Sequence, residues 1–226
     1  MRAGGVEHGL REQHKARRRA RILEATRELL REGPEAAIST ERIAARAQVA
    51  PATVYNLIGP REKIWEALAA AFADELDRRL AAPEPEPGDG GPRRVVVATV
   101  RLFVADPVVS RRMVRGWEDS GLVLHRGPLP RLRRAMAEER TRGLLRPDID
   151  TDALADVVAT SCVGALHQWV AHLIDDDRFL ARALFALDVA LAAAAADPHR
   201  DRLLAPLRLR TGAGEAGGGA EAGGTA

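Results

Sequence analysis

Apolar residues recur at three- and four-residue intervals along most of this 226-residue chain, whereas the alternating pattern of a β-strand hardly occurs. The stretch 61–81 is a clear example, with Ile64, Leu68, Phe72 and Leu76 four residues apart. Hydrophobic residues make up 46% of the chain, which is enough for a buried core. The sequence therefore predicts an all-α protein.

Glycine and proline divide this helical pattern into segments. Residues 82–92 are rich in both and predict a linker, because proline lacks a backbone donor and glycine disfavours a helix. The linker separates a first domain at 16–75 from a second, ligand-binding and dimerisation domain at 93–205. Residues 1–15 are expected to be a flexible arm, and the glycine-rich residues 211–226 a disordered tail.

Positive charge is concentrated near the N-terminus. Residues 1–65 carry 13 basic and 8 acidic side chains, whereas the remainder carries 21 and 24. Six of the basic residues lie between positions 11 and 21. This asymmetry favours an anionic polymer as the partner of the first domain.

The sequence gives no sign of an oxidising compartment, a membrane or a metal. A single cysteine, Cys162, cannot form an internal disulfide, and neither an export signal nor a bilayer-length apolar run is recognisable. His167 and His172 are five residues apart and would lie about 140° apart around a helix, so they cannot easily share an ion. We expect a cytoplasmic protein without membrane contact, metal, cofactor or catalytic residues.

The segment at about 39–58 has the spacing of a helix-turn-helix. Its two short helices are separated by a turn of three or four residues. Ala44 is small where the two helices must approach closely, and Val49 and Val54 are apolar after the turn and on the inner face. A three-helix unit of this kind places its last helix in the major groove of DNA.

The stretch from Ile43 through Val54-Tyr55-Asn56 to Lys63-Ile64 resembles the DNA-binding domain of the tetracycline-repressor (TetR) family. The resemblance covers roughly residues 16–75. It implies an N-terminal three-helix helix-turn-helix domain followed by a helical bundle that dimerises and often binds a small effector. Gln48 departs from the family, which usually has a glycine there, and a left-handed backbone would cost it on the order of 1 kcal/mol.

Side-chain chemistry predicts two kinds of DNA contact. Tyr55, Arg61 and Lys63 suit phosphate oxygens, which position the protein, while Thr53 and Asn56 suit base edges, which specify the sequence. The arginines ahead of the first helix either follow phosphates, enter a minor groove or only solubilise the chain, and Arg42 and Arg46 are either phosphate ligands or a solvated helix face. The predicted DNA-binding residues are Arg17, Arg18, Arg19, Ser39, Thr40, Pro51, Ala52, Thr53, Tyr55, Asn56, Arg61 and Lys63.

The second domain is predicted to dimerise through residues 151–196. One helix there is apolar on nearly all sides, and the next carries a continuous leucine stripe. The predicted dimer interface comprises Leu166, Leu180, Leu184, Leu187 and Leu191.

Large adaptable side chains in the second domain suit either an apolar effector pocket or ordinary core packing. The candidate pocket residues are Phe103, Met113, Trp117, Met136 and Trp169.

Taken together, these patterns predict a homodimeric transcriptional regulator that binds a palindromic double-stranded DNA operator. It is expected to be a repressor released by a small apolar effector. Two alternatives stay open, a helical-bundle enzyme or carrier and a helix-turn-helix protein that has lost DNA binding. Paired Glu-x-x-His motifs, which a di-metal bundle enzyme would need, are absent from the sequence.

Overall fold

The computed structural model describes residues 4–34, 38–82, 91–117, 127–197, 199–200 and 203–204. Over these ranges the chain forms nine α-helices of seven residues or more and no strand beyond one isolated bridge, which confirms the all-α prediction. The helices are α1 (Gly4–Glu32), α2 (Thr40–Ala47), α3 (Pro51–Leu57), α4 (Arg61–Ala81), α5 (Gly91–Val104), α6 (Pro107–Trp117), α7 (Leu129–Thr141), α8 (Thr151–Val170) and α9 (Asp176–Ala194).

The N-terminal helix is longer than the sequence pattern suggested. It begins at Gly4, so residues 4–15, expected to be flexible, are helical. The first proline of the chain is Pro34, so no residue before that point breaks the helix. The flexible-arm prediction was therefore wrong from Gly4 onward.

The first three helices enclose a small core around α2 and α3. Ile22 and Leu30 of α1, Ile43 of α2 and Val54 of α3 are fully buried. Val54 is the one buried side chain of α3, and Pro51, Ala52, Tyr55 and Asn56 are exposed. This arrangement matches the inward placement of Val54 predicted from the sequence.

The turn between α2 and α3 has a defined backbone geometry. Ser39 is the N-cap of α2 and its hydroxyl accepts a hydrogen bond from the Arg42 amide. At the other end of α2, Gln48 adopts φ 53° and ψ 50°, the left-handed conformation expected where the family has glycine. The Val49 amide donates to the Ala44 carbonyl at 3.0 Å and closes the turn.

Helix α6 is fastened to the C-terminal end of α1 by two polar links. The Asp106 carboxylate caps α6 through the Val109 amide and also accepts from Arg31 at 2.8 Å. Arg112 donates to the carbonyl of Gly33 at 2.7 Å and to the carbonyl of Leu30. These carbonyls end α1 and have no partner within the helix, so Arg112 satisfies them.

Helix α6 also lies close against α4. A β-carbon placed on Gly116 would lie 2.9 Å from three ring carbons of Trp65, so the indole occupies the space that a side chain would need. Further along α4, Phe72 packs against Phe103 of α5, with their ring centroids 4.6 Å apart. Gly116 is thus needed for close approach of the two helices.

Helices α8 and α9 pack against each other around aromatic side chains. Trp169 and Phe179 are buried, with ring centroids 5.5 Å apart, and the Trp169 indole donates to Asp176 at 2.7 Å. An isolated bridge between Leu145 and Ala195 ties the segment before α8 to the end of α9. The buried Asp188 carboxylate in α9 pairs with Arg93 of α5.

Several predicted boundaries differ from the structure. Gly91 and Pro92, placed in the linker by the sequence, open α5, where proline is tolerated because the first helical turn needs no amide donor. Helix α8 ends at Val170, because His172 adopts φ 59° and its amide turns back to the Trp169 carbonyl. The rest of the predicted linker, at 83–90, and the predicted tail, at 211–226, lie outside the described residues.

By internal contacts the chain divides into two compact units, Met1–Pro85 with Ala98–Pro130, and Glu86–Val97 with Arg131–Ala226. The predicted second domain started at residue 93, whereas α6 groups with the first unit because of its links to α1 and α4. The assignment of dimerisation and ligand binding to 93–205 stays a prediction. Among the described helices, none combines the length and apolar character needed to cross a bilayer.

Candidate nucleic-acid interface

The outward face of α3 is uncharged and solvent-exposed. Tyr55 is a large aromatic residue with 62% of its surface exposed, and Pro51, Ala52 and Asn56 are exposed beside it. Thr53 is half-buried. The predicted base-reading and phosphate-binding side chains of α3 therefore lie on the side away from its core.

Cationic residues follow at the start of α4. Arg61 and Lys63 are exposed in its first turn, where the helix dipole also favours an anion. The Lys63 ammonium lies 2.6 Å from the Glu66 carboxylate, a surface pair that costs little to exchange for a phosphate. The preceding turn needs glycine, because Gly59 has φ 115° and a β-carbon there would lie 3.0 Å from two Lys63 carbons.

The arginines of α1 do not share one environment. Arg17 and Arg18 are exposed, as a phosphate ligand requires. Arg19 is half-buried and donates to the Leu57 carbonyl at the end of α3, at 3.0 Å. This contact was missed from the sequence, although Arg19 stands three residues before the buried Ile22 and so lies near the inner face of α1.

The remaining candidates of the first unit have structural contacts. Ser39 uses its hydroxyl as the cap of α2, and Thr40 is half-buried beside it. The Arg46 guanidinium donates to both carboxylate oxygens of Glu32 at 2.8 Å and to the Glu28 carboxylate at 3.3 Å. This guanidinium lowers the pKa of the Glu32 carboxyl. Of the two interpretations left open for Arg46, its ion pairs favour a structural link between α1 and α2.

The predicted effector residues are distributed over both units. Phe103 and Met113 are buried in the first unit, whereas Met136 and Trp169 are buried in the second. The side chain of Trp117 lies outside the described part of the chain. Trp169 packs against the Phe179 ring and its indole N–H is hydrogen-bonded to Asp176, as expected for a residue of the core.

The predicted leucine interface needs correction at two positions. Leu166 is 2% exposed and Leu187 fully buried, both within their own chain, so a partner subunit cannot reach them. The other three, Leu180, Leu184 and Leu191, are half-buried.

Other apolar residues on α8 and α9 are open to solvent instead. Val157 on α8 is 60% exposed, and Phe185 and Val189, one turn apart on α9, are each 46% exposed. On α9 the exposed apolar residues are therefore different from the buried Leu187 of the predicted stripe, and dimerisation through α8 and α9 stays a prediction.

Metal and thiol chemistry have no support in the described part of the chain. No three His, Cys, Asp or Glu side chains there are grouped closely enough to hold an ion. Cys162 is half-buried, and burial raises the pKa of its thiol to about 12. Such a thiol is a poor nucleophile at neutral pH.

Comparison with known proteins agrees with this geometry. Residues 22–57 match the family described as bacterial regulatory proteins of the tetR family, which covers α1 from Ile22, the turn and α3. The first unit therefore carries a helix-turn-helix of the class that binds DNA. The match to the TetR family of transcriptional regulators covers this helix-turn-helix segment of the chain. No curated protein sequence matches it.

Solved structures share the fold over most of the chain. A TetR-family regulator from Mesorhizobium loti is 14% identical, with a TM-score of 0.55, and the match covers 80% of this chain and 98% of that one. A regulator from a Rhodococcus species is 18% identical, with a TM-score of 0.57 and coverage of 77% and 99%. SmeT, the repressor of the Stenotrophomonas maltophilia multidrug efflux pump SmeDEF, is 23% identical, with a TM-score of 0.54 and coverage of 79% and 91%. At these identities the likeness establishes a common fold.

Proposed function

We propose that this transcriptional regulator is a homodimeric repressor that binds a palindromic operator and is released by a small apolar effector. The observation that carries DNA binding is the exposed, uncharged face of α3, with Tyr55 at its centre and Arg61 close behind it in the chain. The hydroxyl of this exposed tyrosine can donate to a phosphate oxygen.

The proposal assigns different tasks to different residues. Tyr55, Arg61, Arg17 and Arg18 bind phosphates and fix the register on the duplex, whereas Asn56 reads a base edge. A phosphate ligand contributes equally at every sequence and increases the salt dependence of binding. A base-reading asparagine contributes about 1–3 kcal/mol at one position of the site.

The deciding experiment begins with the selection of DNA fragments retained by the purified full-length chain. On the selected operator, Arg61→Ala should weaken all sequence variants alike and lower the salt slope by about 0.9 for each phosphate that is no longer neutralised. Asn56→Ala should keep the slope and relax preference at one base pair in each half-site. Failure of the wild-type chain to enrich any sequence would contradict DNA recognition, and a uniform loss with Asn56→Ala would remove its base-reading role.

Dimerisation is proposed through the solvent-exposed apolar faces of α8 and α9, which carry Val157 and Phe185. A two-fold pair of these helices would form a four-helix interface and cover these side chains. Dimers read two half-sites about 34 Å apart, so the interface would also set the operator spacing.

Effector release is proposed to act through α6. This helix is linked to α1 by Arg112 and touches α4 at Gly116, so a ligand that displaced α6 would disturb α1, which packs against the reading helix, and α4, which follows the reading helix in the chain. SmeT, which has the same fold, is known in a complex with triclosan. The test is titration of apolar compounds into the protein–operator complex, with a coupling of about 1–3 kcal/mol expected as a 5- to 150-fold loss of operator affinity. Tight ligand binding without DNA release would contradict this mechanism for the compound concerned.

A further inference from the structure

Helix α3 has few internal means of holding its orientation. It is seven residues long, its N-cap is Ala50, which makes no side-chain hydrogen bond, and Val54 is its one buried side chain. A helix this short is not stable by itself, so tertiary contacts must fix it. A single apolar anchor near the middle of a helix still allows the helix to tilt about that point.

The Arg19 guanidinium supplies a second anchor at the end of α3. Its Nη1 atom donates to the Leu57 carbonyl at 3.0 Å, across 38 residues of sequence. This carbonyl belongs to the last residue of α3, where the helix leaves its carbonyls without internal partners and the dipole is negative. A cationic donor here provides a hydrogen bond for the carbonyl and a positive charge at the negative end of the helix dipole.

The two anchors lie three residues apart, at Val54 and Leu57, with Tyr55 and Asn56 between them. The side chains expected to touch DNA therefore sit on the segment that the two anchors define. Arg19 is half-buried at this contact, whereas the neighbouring Arg17 and Arg18 of the same helix are exposed to solvent.

We infer that Arg19 is a positioning residue for DNA reading, which orients the C-terminal half of α3 through the Leu57 carbonyl rather than by binding a phosphate. It differs in this respect from Arg17 and Arg18. Removing it should misplace Asn56 and Tyr55 while leaving the number of phosphates neutralised by cationic side chains unchanged. The role assigned to Arg19 in reading DNA rests on the proposed function, whereas its role in holding α3 does not.

The experiment compares Arg19→Ala with Arg18→Ala, which removes the same charge one residue away. On the selected operator, Arg19→Ala should bind about tenfold more weakly at every salt concentration, the size of effect given by one charge-assisted hydrogen bond, with the salt slope of the wild type. Arg18→Ala should reduce the slope. Arg19→Lys, which keeps a cationic donor, should recover part of the affinity that Arg19→Ala removes.

Hydrogen exchange of the DNA-free protein supplies an independent readout. The peptide that covers α3 should exchange faster in Arg19→Ala and at the wild-type rate in Arg18→Ala. A lower salt slope for Arg19→Ala with unchanged exchange would make Arg19 a phosphate ligand and overturn the inference, as would faster exchange with unchanged operator affinity. If the wild-type chain binds no DNA, the proposed function fails, and the exchange comparison still decides whether Arg19 holds α3.

Discussion

The α2–α3 segment and the α8–α9 pair show how differently sequence patterns translate into surfaces. In α2–α3, the apolar residues Ile43, Ala44 and Val54 are all buried, and Tyr55 and Asn56, which follow Val54, are exposed. In α9, a stripe of leucines was taken as a subunit interface, but Leu187 is fully buried within its own chain and Phe185 and Val189 are exposed instead.

The difference has a physical origin in how many apolar faces each helix offers. A short helix with one apolar position has only one way to bury it, so Val54 determines where Tyr55 and Asn56 point. Helices α8 and α9 are apolar on several faces. The most extensive of these faces packs into the core of the chain itself. The remaining, weaker apolar face is then the one available to a partner.

The largest effects should separate these two faces of α9. Leu187→Glu places an unpaired charge in the core and should destabilise the chain by at least about 3 kcal/mol, measured by chemical denaturation. Phe185→Glu changes a side chain that is already 46% exposed, so the folded monomer should lose no more than about 0.5 kcal/mol.

The same two variants test the proposed interface. Phe185→Glu should be monomeric by light scattering at micromolar concentration, with the helix content of the wild type, because two buried glutamates would face the interface. If Phe185→Glu stays dimeric, this face is not the interface. If Leu187→Glu folds with wild-type stability, the burial argument for α9 is wrong.

Sequence alone was enough for the fold class and for the outward residues of α3, because helical spacing and the turn leave one consistent arrangement. The sequence did not predict the partner of a long side chain that has several groups within reach. Arg19 and Arg46 were grouped with possible phosphate ligands, yet one donates to Leu57 and the other pairs with Glu32. Local spacing does not encode a partner 38 residues away in sequence, as Leu57 is for Arg19.

An intermediate effect is expected at the contact between α4 and α6. Gly116→Ala puts a methyl group 2.9 Å from the Trp65 ring, so one of the two must move, at a cost of about 1–3 kcal/mol in unfolding free energy. Since Trp65 lies in α4, the substitution should also weaken operator binding.

The matched control for Gly116 is Gly164, a mid-helix glycine of α8 with no atom within 4 Å of its added β-carbon. Gly164→Ala should stabilise the chain by up to about 1 kcal/mol through helix propensity alone. The two variants are best compared in the Phe185→Glu background, because Gly164 is exposed on a helix of the proposed interface. Equal changes in unfolding free energy for Gly116→Ala and Gly164→Ala would show that the added methyl group at Gly116 causes no strain.

The smallest effects concern a backbone feature that both regions share. Gln48 after α2 and His172 after α8 adopt φ 53° and 59°, a left-handed conformation that costs a side-chain-bearing residue about 1–2 kcal/mol. Glycine removes this strain but gives the unfolded chain more freedom, so Gln48→Gly and His172→Gly should each gain only about 0.5–1 kcal/mol. Gln48→Ala and His172→Ala keep the strain and should gain nothing, and thermal unfolding of the four variants measures the difference. A gain at His172 without one at Gln48 would mean that contacts of the Gln48 side chain offset its strain, and that the helix-turn-helix depends on this residue rather than merely tolerating it.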